Sequence, residues 1–295
     1  MTPDLLPGVP LVESPLFAQE INKLPQQYQP AAIDLNEKGY AIIDFPDTEL
    51  NLKIDRIRNA LGRKFHWLDP AACPTSARVQ DAWKFDRDVR DIACNSMIID
   101  LLSALYGRKA FPFQTLNFPV GTQQPGHSDH IHFCSIPERF MCGVWVAFED
   151  VDEDNGPLFY YPGSHKWPSY QSEHIGVSGK RDPFEVSVEK FTRLYSELPE
   201  KTGLRREAFL AKKGQALIWA SNLVHGGGKQ HDLRRSRWSQ VTHYFFKGCG
   251  YTTPLVNDTF QGKTRYRKVI DATDGSVVPN IISGVRRPRF RLGLS

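Results

Sequence analysis

The sequence centres on one short stretch, Gly126-His127-Ser128-Asp129-His130-Ile131-His132-Phe133. This stretch holds three of the nine histidines of the chain and one carboxylate within six positions. The residues around it favour an extended backbone over a helix. Side chains two positions apart on a strand share a face, so we expect His127 and Asp129 to point one way and His130 and His132 the other.

An imidazole and a carboxylate side by side offer two ligands to a metal ion. The facial triad of non-haem Fe(II) enzymes needs such a pair and one distant histidine, and it leaves coordination positions open. A lone His-x-Asp tripeptide is more often a chance pair of polar residues on a surface strand. The rest of the chain therefore has to supply the second histidine.

The composition is that of an ordinary globular protein. The 295 residues are 40% hydrophobic, 24% charged and 12% aromatic, which is enough apolar material for a core and too much for disorder. A chain of this length forms one large domain or two small ones, and β barrels of this size are often one. The net charge of +4 is too small to indicate a nucleic-acid partner. No apolar run is long enough to cross a membrane.

The cysteines and the N-terminus indicate the cellular compartment. The five cysteines are odd in number and show no CxxC spacing, which favours reduced thiols over a disulfide framework. The N-terminus lacks the basic and apolar segments of a signal peptide. We therefore expect a cytoplasmic protein without a membrane partner. The sequence gives no information on the oligomeric state.

Hydrophobic periodicity predicts a mixture of helices and strands in the N-terminal third and mostly short strands in the remainder. A helical spacing covers residues 50–65 and again 85–106. The strand patterns cover residues 39–45, 111–118, 141–148, 158–161, 216–220 and 239–246. Short antiparallel strands in this number predict a mainly β fold with flanking helices, built on a jelly-roll or cupin-like core (a double-stranded β-helix). Such a core can hold a small ligand in its mouth.

A second histidine follows one of the apolar strands. The strand at 216–220 leads to His225, and three glycines come directly after it. Glycines leave space beside the histidine that a bound ligand could use. His225 lies 98 positions after His127 (225 − 127), so only a closed sheet would bring the two together. Taken alone, His225 is equally well explained as a turn histidine.

Arg237 is the third unusual residue. The alternating pattern places it on one face of a strand with Val241 and Phe245. An arginine among apolar strand residues needs an anionic partner, and its planar fork matches a carboxylate. On the same strand, His243 is better explained as a core histidine that supports a site than as a metal ligand.

Six motifs in order along the chain resemble one family. They are His127-x-Asp129, the strand with Trp145, Asp154-Asn155-Gly156-x-Leu158, Pro162-Gly163-Ser164-His165, His225 followed by glycine, and Arg237. Together they resemble the phytanoyl-CoA dioxygenase family of Fe(II)- and 2-oxoglutarate-dependent oxygenases. A single motif would carry little weight, and six in order are specific. The resemblance runs over about residues 35–248 and leaves much of 166–206 and the tail after 250 unmatched.

The resemblance implies roles for individual residues. His127, Asp129 and His225 would ligate Fe(II), and Arg237 would pair with the distal carboxylate of 2-oxoglutarate. Two further residues resemble family positions near the cosubstrate and the reacting site, namely Gln114 and Asn117. The implied organisation is a single oxygenase domain over 1–295, with a core at about 35–250, a lid-like insert at about 166–206 and a basic C-terminal tail at 251–295.

The implied activity is that of a non-haem iron dioxygenase. It would consume O2 and 2-oxoglutarate, release succinate and CO2, and oxidise a C–H bond of a small molecule, most simply by hydroxylation. Related halogenases lack the carboxylate that Asp129 provides, so halogenation is not expected, whereas desaturation and ring closure stay open. Specialised metabolism is the expected setting.

Two other classes of function stay open at this point. One is a metal-dependent cupin isomerase or hydrolase that uses zinc, bound through His130-x-His132, and no 2-oxoglutarate. In that case Arg237 has no assigned carboxylate. The other is a non-catalytic binding member of the fold. The C-terminal arginines also allow two explanations, a solvated tail or a docking segment for an acidic ligand or partner; they are Arg286, Arg287, Arg289 and Arg291.

Overall fold

The computed structural model describes residues 5–178, 181–258 and 261–287. Its α-helices are α1 (Phe17–Glu20), α2 (Gln29–Lys38), α3 (Leu50–Phe65), α4 (Arg87–Ala93), α5 (Ser96–Tyr106) and α6 (Phe184–Lys201). None of the helices in these ranges combines the length and the apolar character that crossing a bilayer requires. The bounds of α3 are those that the apolar spacing predicts.

The single helix expected over 85–106 is wrong, because the segment forms α4 and α5. Asn95 lies between them and caps α5, since its side chain accepts a hydrogen bond from the backbone N–H of Ile98 (3.1 Å). Asp86 caps α4 in the same way through the N–H of Val89 (3.0 Å). A capping asparagine has a non-helical backbone, so one continuous apolar stripe is carried by two helices.

The strands form several antiparallel sheets. They are β1 (Tyr40–Asp44), β2 (Val79–Gln80), β3 (Ala110–Phe118), β4 (Cys134–Ile136), β5 (Met141–Ala147), β6 (Leu158–Tyr160), β7 (Glu207–Phe209), β8 (Gln215–Ala220), β9 (His225–Gly227), β10 (Ser239–Phe246), β11 (Gly250–Thr252), β12 (Val269–Ile270), β13 (Val277–Val278), β14 (Ile281–Ile282) and β15 (Val285–Arg286). The large sheet has the order β1-β8-β5-β10-β3-β2, and a small sheet has the order β7-β6-β9.

The two sheets face each other across an apolar layer. Trp145 and Val241 of the large sheet pack in one cluster with Tyr160 and Phe209 of the small sheet. Every strand pairing within both sheets is antiparallel. The prediction of a mainly β fold with flanking helices is therefore confirmed, and the layer between the sheets is where a ligand cavity can form.

The helices seal the other face of the large sheet. Ile54 of α3 and Leu102 of α5 are fully buried in one cluster with Phe246 of β10. Tyr106 at the end of α5 stacks on the same phenylalanine, with ring centroids 4.2 Å apart. Full burial of such side chains contributes about 1.5–3 kcal/mol each to folding. This packing holds the large sheet rigid behind the cavity.

The segment after residue 250 is not the solvated tail that its charges suggested. β11 pairs with β4, and Tyr251, Val269 and Val278 are buried in the main core. The apolar residues in this segment are few and widely spaced, and several of them pack into the core, whereas Val285 is exposed. Arg286 and Arg287 are exposed, whereas Arg289 and Arg291 lie outside the described residues.

The expected lid segment contains the longest helix, α6. Phe191 and Tyr195 on its inner face are buried together with Ile131 and Val224. The helix therefore packs behind the stretch at 126–133, where it supports the backbone of that stretch.

Candidate active site

Two of the candidate metal ligands are paired through their backbones. The N–H of His127 donates to the carbonyl of His225, and the N–H of His225 donates to the carbonyl of His127, both at 2.9 Å. His225 opens β9, and His127 lies opposite it as an isolated bridge rather than within a strand of its own. Their ring centroids are 4.4 Å apart. The closed arrangement of sheets thus brings together two residues from distant parts of the chain.

Asp129 begins a single 3₁₀ turn, so the strand expected through 126–133 is wrong after His127. The turn spans Asp129–Ile131, and the hydroxyl of Ser128 accepts a hydrogen bond from the backbone N–H of His130 (3.3 Å). The same hydroxyl donates to the carbonyl of Ser221 (2.9 Å). This local capping bends the backbone and leaves Asp129 beside His127.

The three ligand side chains converge on one point. Their ligand atoms lie within 4.8 Å of one another. Nε2 of His127 is 3.7 Å from one carboxylate oxygen of Asp129, and Nε2 of His225 is 3.9 Å from the other. Each Nδ1 lies 3.0 Å from a backbone carbonyl, that of Pro125 or Leu223. A carbonyl accepts only, so each Nδ1 carries the proton and each Nε2 lone pair is directed to the metal position.

The charge states of these groups suit a divalent cation. Burial, with a smaller effect from His225, lowers the pKa of His127 to about 3, so the imidazole is neutral at physiological pH. Burial alone would raise the pKa of Asp129, but the imidazoles of His225 and His243 outweigh it and hold that pKa below its usual range. Ligands that are already deprotonated can bind a metal ion without first releasing protons.

The carboxylate of Asp129 is held by residues outside the triad. The indole Nε1–H of Trp219 donates to its Oδ2 (2.8 Å), and Nε2 of His243 is 3.4 Å from the same oxygen. Nδ1 of His243 in turn lies 2.9 Å from the side-chain oxygen of Gln114. His243 is thus a supporting residue, as its sequence position favoured. Trp219 was missed, although it lies one residue before the end of the apolar strand that leads to His225.

A cavity of about 400 Å³ opens between the sheets beside these ligands. The large sheet contributes Leu116, Phe118 and Val241 to its walls, and the small sheet contributes Leu158. None of the lining residues within the described ranges comes from the expected lid segment at 166–206. The cavity therefore combines an apolar wall with a metal-ligand set at one end.

Arg237 lies in the same cavity and is almost fully buried, with 1% of its surface exposed. It precedes β10 instead of lying within the strand. Its Nη1 donates to the hydroxyl of Ser239 (2.9 Å), whereas its Nε has no hydrogen-bond partner among the described residues. Burial lowers the pKa of the guanidinium to about 10, so it stays charged at neutral pH. A buried cation that lines a cavity and has no acidic partner fits an anionic ligand.

Gln114 and Asn117, the two residues expected near the cosubstrate, lie on opposite faces of β3. Gln114 lines the cavity, and its side-chain oxygen is used by His243. Asn117 points to the other face of the strand, where its amide donates to Gln240 (3.1 Å). Side chains an odd number of positions apart on a strand face opposite ways. The structure therefore does not bring Asn117 to the cavity.

His130 and His132, the two histidines of the alternative zinc site, also lie on different sides of the turn. His132 lines the cavity, whereas His130 is buried on the far side of the turn, with its Nε2 3.1 Å from the amide nitrogen of Gln171. Because the turn places them apart, His130 and His132 do not form one metal site. Sequence reasoning also missed two cavity arginines, Arg78 and Arg267, which carry no motif.

Comparison with known proteins gives a family and a fold. A model of the phytanoyl-CoA dioxygenase (PhyH) family matches residues 6–236, well over half of the chain. The peroxisomal phytanoyl-CoA dioxygenase of Rattus norvegicus is 24% identical over 130 residues, which are 44% of this chain and 36% of that protein. The matched part thus spans little more than a third of the length of this relative.

Two solved structures share the fold at low sequence identity. The non-haem α-ketoglutarate-dependent epimerase SnoN from nogalamycin biosynthesis has a TM-score of 0.57 and 18% identity, over 77% of this chain and 86% of the epimerase. EctD from S. alaskensis, solved with 2-oxoglutarate and 5-hydroxyectoine, has a TM-score of 0.53 and 17% identity, over 79% of each chain. These likenesses confirm the expected jelly-roll fold.

The family resemblance drawn from the six motifs is thereby confirmed. It is a family of iron- and 2-oxoglutarate-dependent dioxygenases, and the cluster of His127, Asp129 and His225 has the donor types that such an iron site requires. The buried, unpaired donor of Arg237 lies in the same cavity. By the match over residues 6–236, the chain belongs to the phytanoyl-CoA dioxygenase family.

Proposed function

We propose that the protein is an Fe(II)- and 2-oxoglutarate-dependent oxygenase that oxidises a C–H bond of a small molecule and releases succinate and CO2. One observation carries the proposal. The cavity holds both a triad of two imidazoles and one carboxylate and a buried arginine that lacks an anion. A zinc isomerase or hydrolase would use the triad but would leave the arginine unexplained.

Each residue has a defined part in this function. His127, Asp129 and His225 would hold the Fe(II) through two imidazoles and one carboxylate, a ligand set that leaves positions for the cosubstrate and O2. The bound iron supplies oxygen activation. Arg237 orients the cosubstrate by pairing with its distal carboxylate; Nη1 of this arginine is held by Ser239, and its Nε has no partner among the described residues. The apolar walls exclude water from the reacting region.

Hydroxylation is the simplest outcome that we propose for the substrate. The presence of Asp129 supports it, because this carboxylate occupies a metal position that a halide would otherwise need. The fold itself does not select the outcome, since the relatives named above are an epimerase and a protein solved with 5-hydroxyectoine. We propose a specialised metabolite as the substrate, because the epimerase of similar fold belongs to nogalamycin biosynthesis.

The setting of the enzyme is part of the proposal. All five cysteines are free thiols, which supports a reducing compartment such as the cytoplasm. The family match over residues 6–236 and the packing of the later segment into the same core support a single domain.

The test is an anaerobic titration of the metal-free protein with Fe(II) and then 2-oxoglutarate, followed by the visible charge-transfer band of the iron chelate. Arg237→Gln should weaken 2-oxoglutarate binding about 100-fold, because losing one partner of a buried charge pair costs on the order of 3 kcal/mol. Fe(II) binding itself should persist in this variant.

Arg235→Gln is the matched control, since Arg235 pairs with Asp152 at the surface (2.8 Å) and lies outside the cavity lining. It should bind 2-oxoglutarate like the parent. A parent protein that binds Fe(II) but forms no chelate band would refute the proposed function.

A further inference from the structure

The cavity carries more positive charge than the proposed chemistry uses. Three arginines line it, Arg78, Arg237 and Arg267, and Asp129 is the sole carboxylate among its described lining residues. Fe(II), the Asp129 carboxylate, the dianion 2-oxoglutarate and the Arg237 guanidinium together sum to no net charge. Arg78 and Arg267 are therefore left as two uncompensated cations.

Arg267 is fixed in place without an acidic partner. Its Nη1 donates to the backbone carbonyl of His132 (3.0 Å) and to the hydroxyl of Thr253 (2.6 Å). Its guanidinium lies 5.0 Å from the ring centroid of Phe133. No carboxylate of the described chain lies within ion-pair distance of it, and burial lowers the pKa of this guanidinium. Its remaining N–H donors are available to a ligand in a fork geometry.

Arg78 lines the same cavity as Arg267. It precedes β2, is exposed, and its side chain has no hydrogen bond or ion pair to the described residues. His132, whose carbonyl Arg267 binds, also lines this cavity. Both guanidinium groups are therefore accessible to a ligand that enters the cavity.

We infer that Arg78 and Arg267 bind an anionic group of the substrate, a carboxylate or a phosphate. This inference rests on the proposed function, since it assumes that the substrate shares the cavity with the iron and the cosubstrate. Paired arginines give a planar anion several charge-assisted hydrogen bonds. The same cavity contains the His127, Asp129 and His225 side chains, so a substrate held by its anionic group shares the cavity with the proposed iron site.

The two arginines come from distant parts of the chain. Arg78 lies just before β2, and Arg267 with its anchor Thr253 lies in the segment after residue 250. That segment therefore supplies part of the cavity wall, including one of its cations.

The experiment uses small probes of defined charge. Protein loaded with Fe(II) and 2-oxoglutarate under argon is titrated calorimetrically with benzoate, phenyl phosphate and neutral benzyl alcohol. We expect at least one anion to bind, and the tighter of the two identifies the carboxylate or the phosphate as the preferred group. Arg78→Gln and Arg267→Gln should each weaken that binding about 10-fold or more.

Arg265→Gln is the matched control, because Arg265 is exposed on the same segment and lies outside the cavity lining. Since Arg267 also anchors its segment, the partner-free Arg78 supplies the variant with the smaller effect on folding. Unchanged anion affinity in Arg78→Gln and Arg267→Gln, or equal binding of benzyl alcohol, would overturn the inference. If the parent forms no iron chelate, the proposed function fails, and the same titration of metal-free protein still tests the two arginines.

Discussion

Replacing Trp219 by phenylalanine should weaken iron binding while the fold persists. The indole N–H of Trp219 donates to Asp129 Oδ2 at 2.8 Å, and both residues are almost fully buried. This contact leaves Oδ1 facing Nε2 of His127. Phenylalanine keeps most of the ring packing against His225 and removes the donor. The change therefore isolates one hydrogen bond to a metal ligand.

The size of the effect follows from the charge on the acceptor. A hydrogen bond to a charged group contributes about 1.5–3 kcal/mol. That range corresponds to about a 10- to 100-fold loss of Fe(II) affinity, which is also what removal of an outer support of a metal ligand typically costs. The affinity is measured under argon by competition with a chromogenic Fe(II) chelator.

Trp145→Phe supplies a close control. Trp145 is 1% exposed, lines the same cavity, and has a buried Nε1–H with no hydrogen-bond partner in the described chain. The same chemical change there should leave Fe(II) affinity within about 2-fold, because no hydrogen bond is lost. Equal Fe(II) affinity in the parent and Trp219→Phe would refute the assigned role of Trp219. An equal loss in both variants would mean that ring packing, not the hydrogen bond, holds the carboxylate.

Two further predictions concern packing and pH. In Gly143→Ala the new β-carbon would overlap the indole of Trp219 on the adjacent strand, so we expect a loss of about 1–3 kcal/mol in urea unfolding together with weaker Fe(II) binding; an unchanged unfolding midpoint would contradict this. Burial outweighs the nearby Arg139 and raises the pKa of Glu13. The protonated carboxyl therefore contributes fully to the free energy of unfolding at low pH, and this contribution is lost as the pH rises through the raised pKa. The free energy of unfolding of Glu13→Gln should therefore rise relative to that of the parent as the pH increases above about 4.3. A difference in unfolding free energy that does not change with pH would contradict the raised pKa of Glu13.

Local patterns were enough to predict much of the scaffold. The bounds of α3 and β10 follow from apolar residues at helical and strand spacing, because each element buries one continuous face. The break between α4 and α5 was not predicted, because a single asparagine interrupts an apolar stripe that continues on both sides of it. The apolar residues after 250 are too widely spaced to show a period, so their burial could not be seen.

The candidate site was also predicted only in part from the sequence. His127, Asp129 and His225 carry a recognisable pattern, and the structure brings them together. The 3₁₀ turn at Asp129 is held by the hydroxyl of Ser128 and the carbonyl of Ser221, contacts that a strand pattern does not reveal. Trp219 and Arg267 act on partners far away in sequence, so their roles depend on tertiary structure.

The backbone pairing of His127 with His225 has a consequence for how the protein is made. The two residues are separated by 98 positions (225 − 127), so their hydrogen bonds form only after a long segment has closed. A growing chain on the ribosome presents His127 and Asp129 well before His225 is synthesised. On the proposed function, a half-made chain would therefore lack one of the three proposed iron ligands until the sheet has closed.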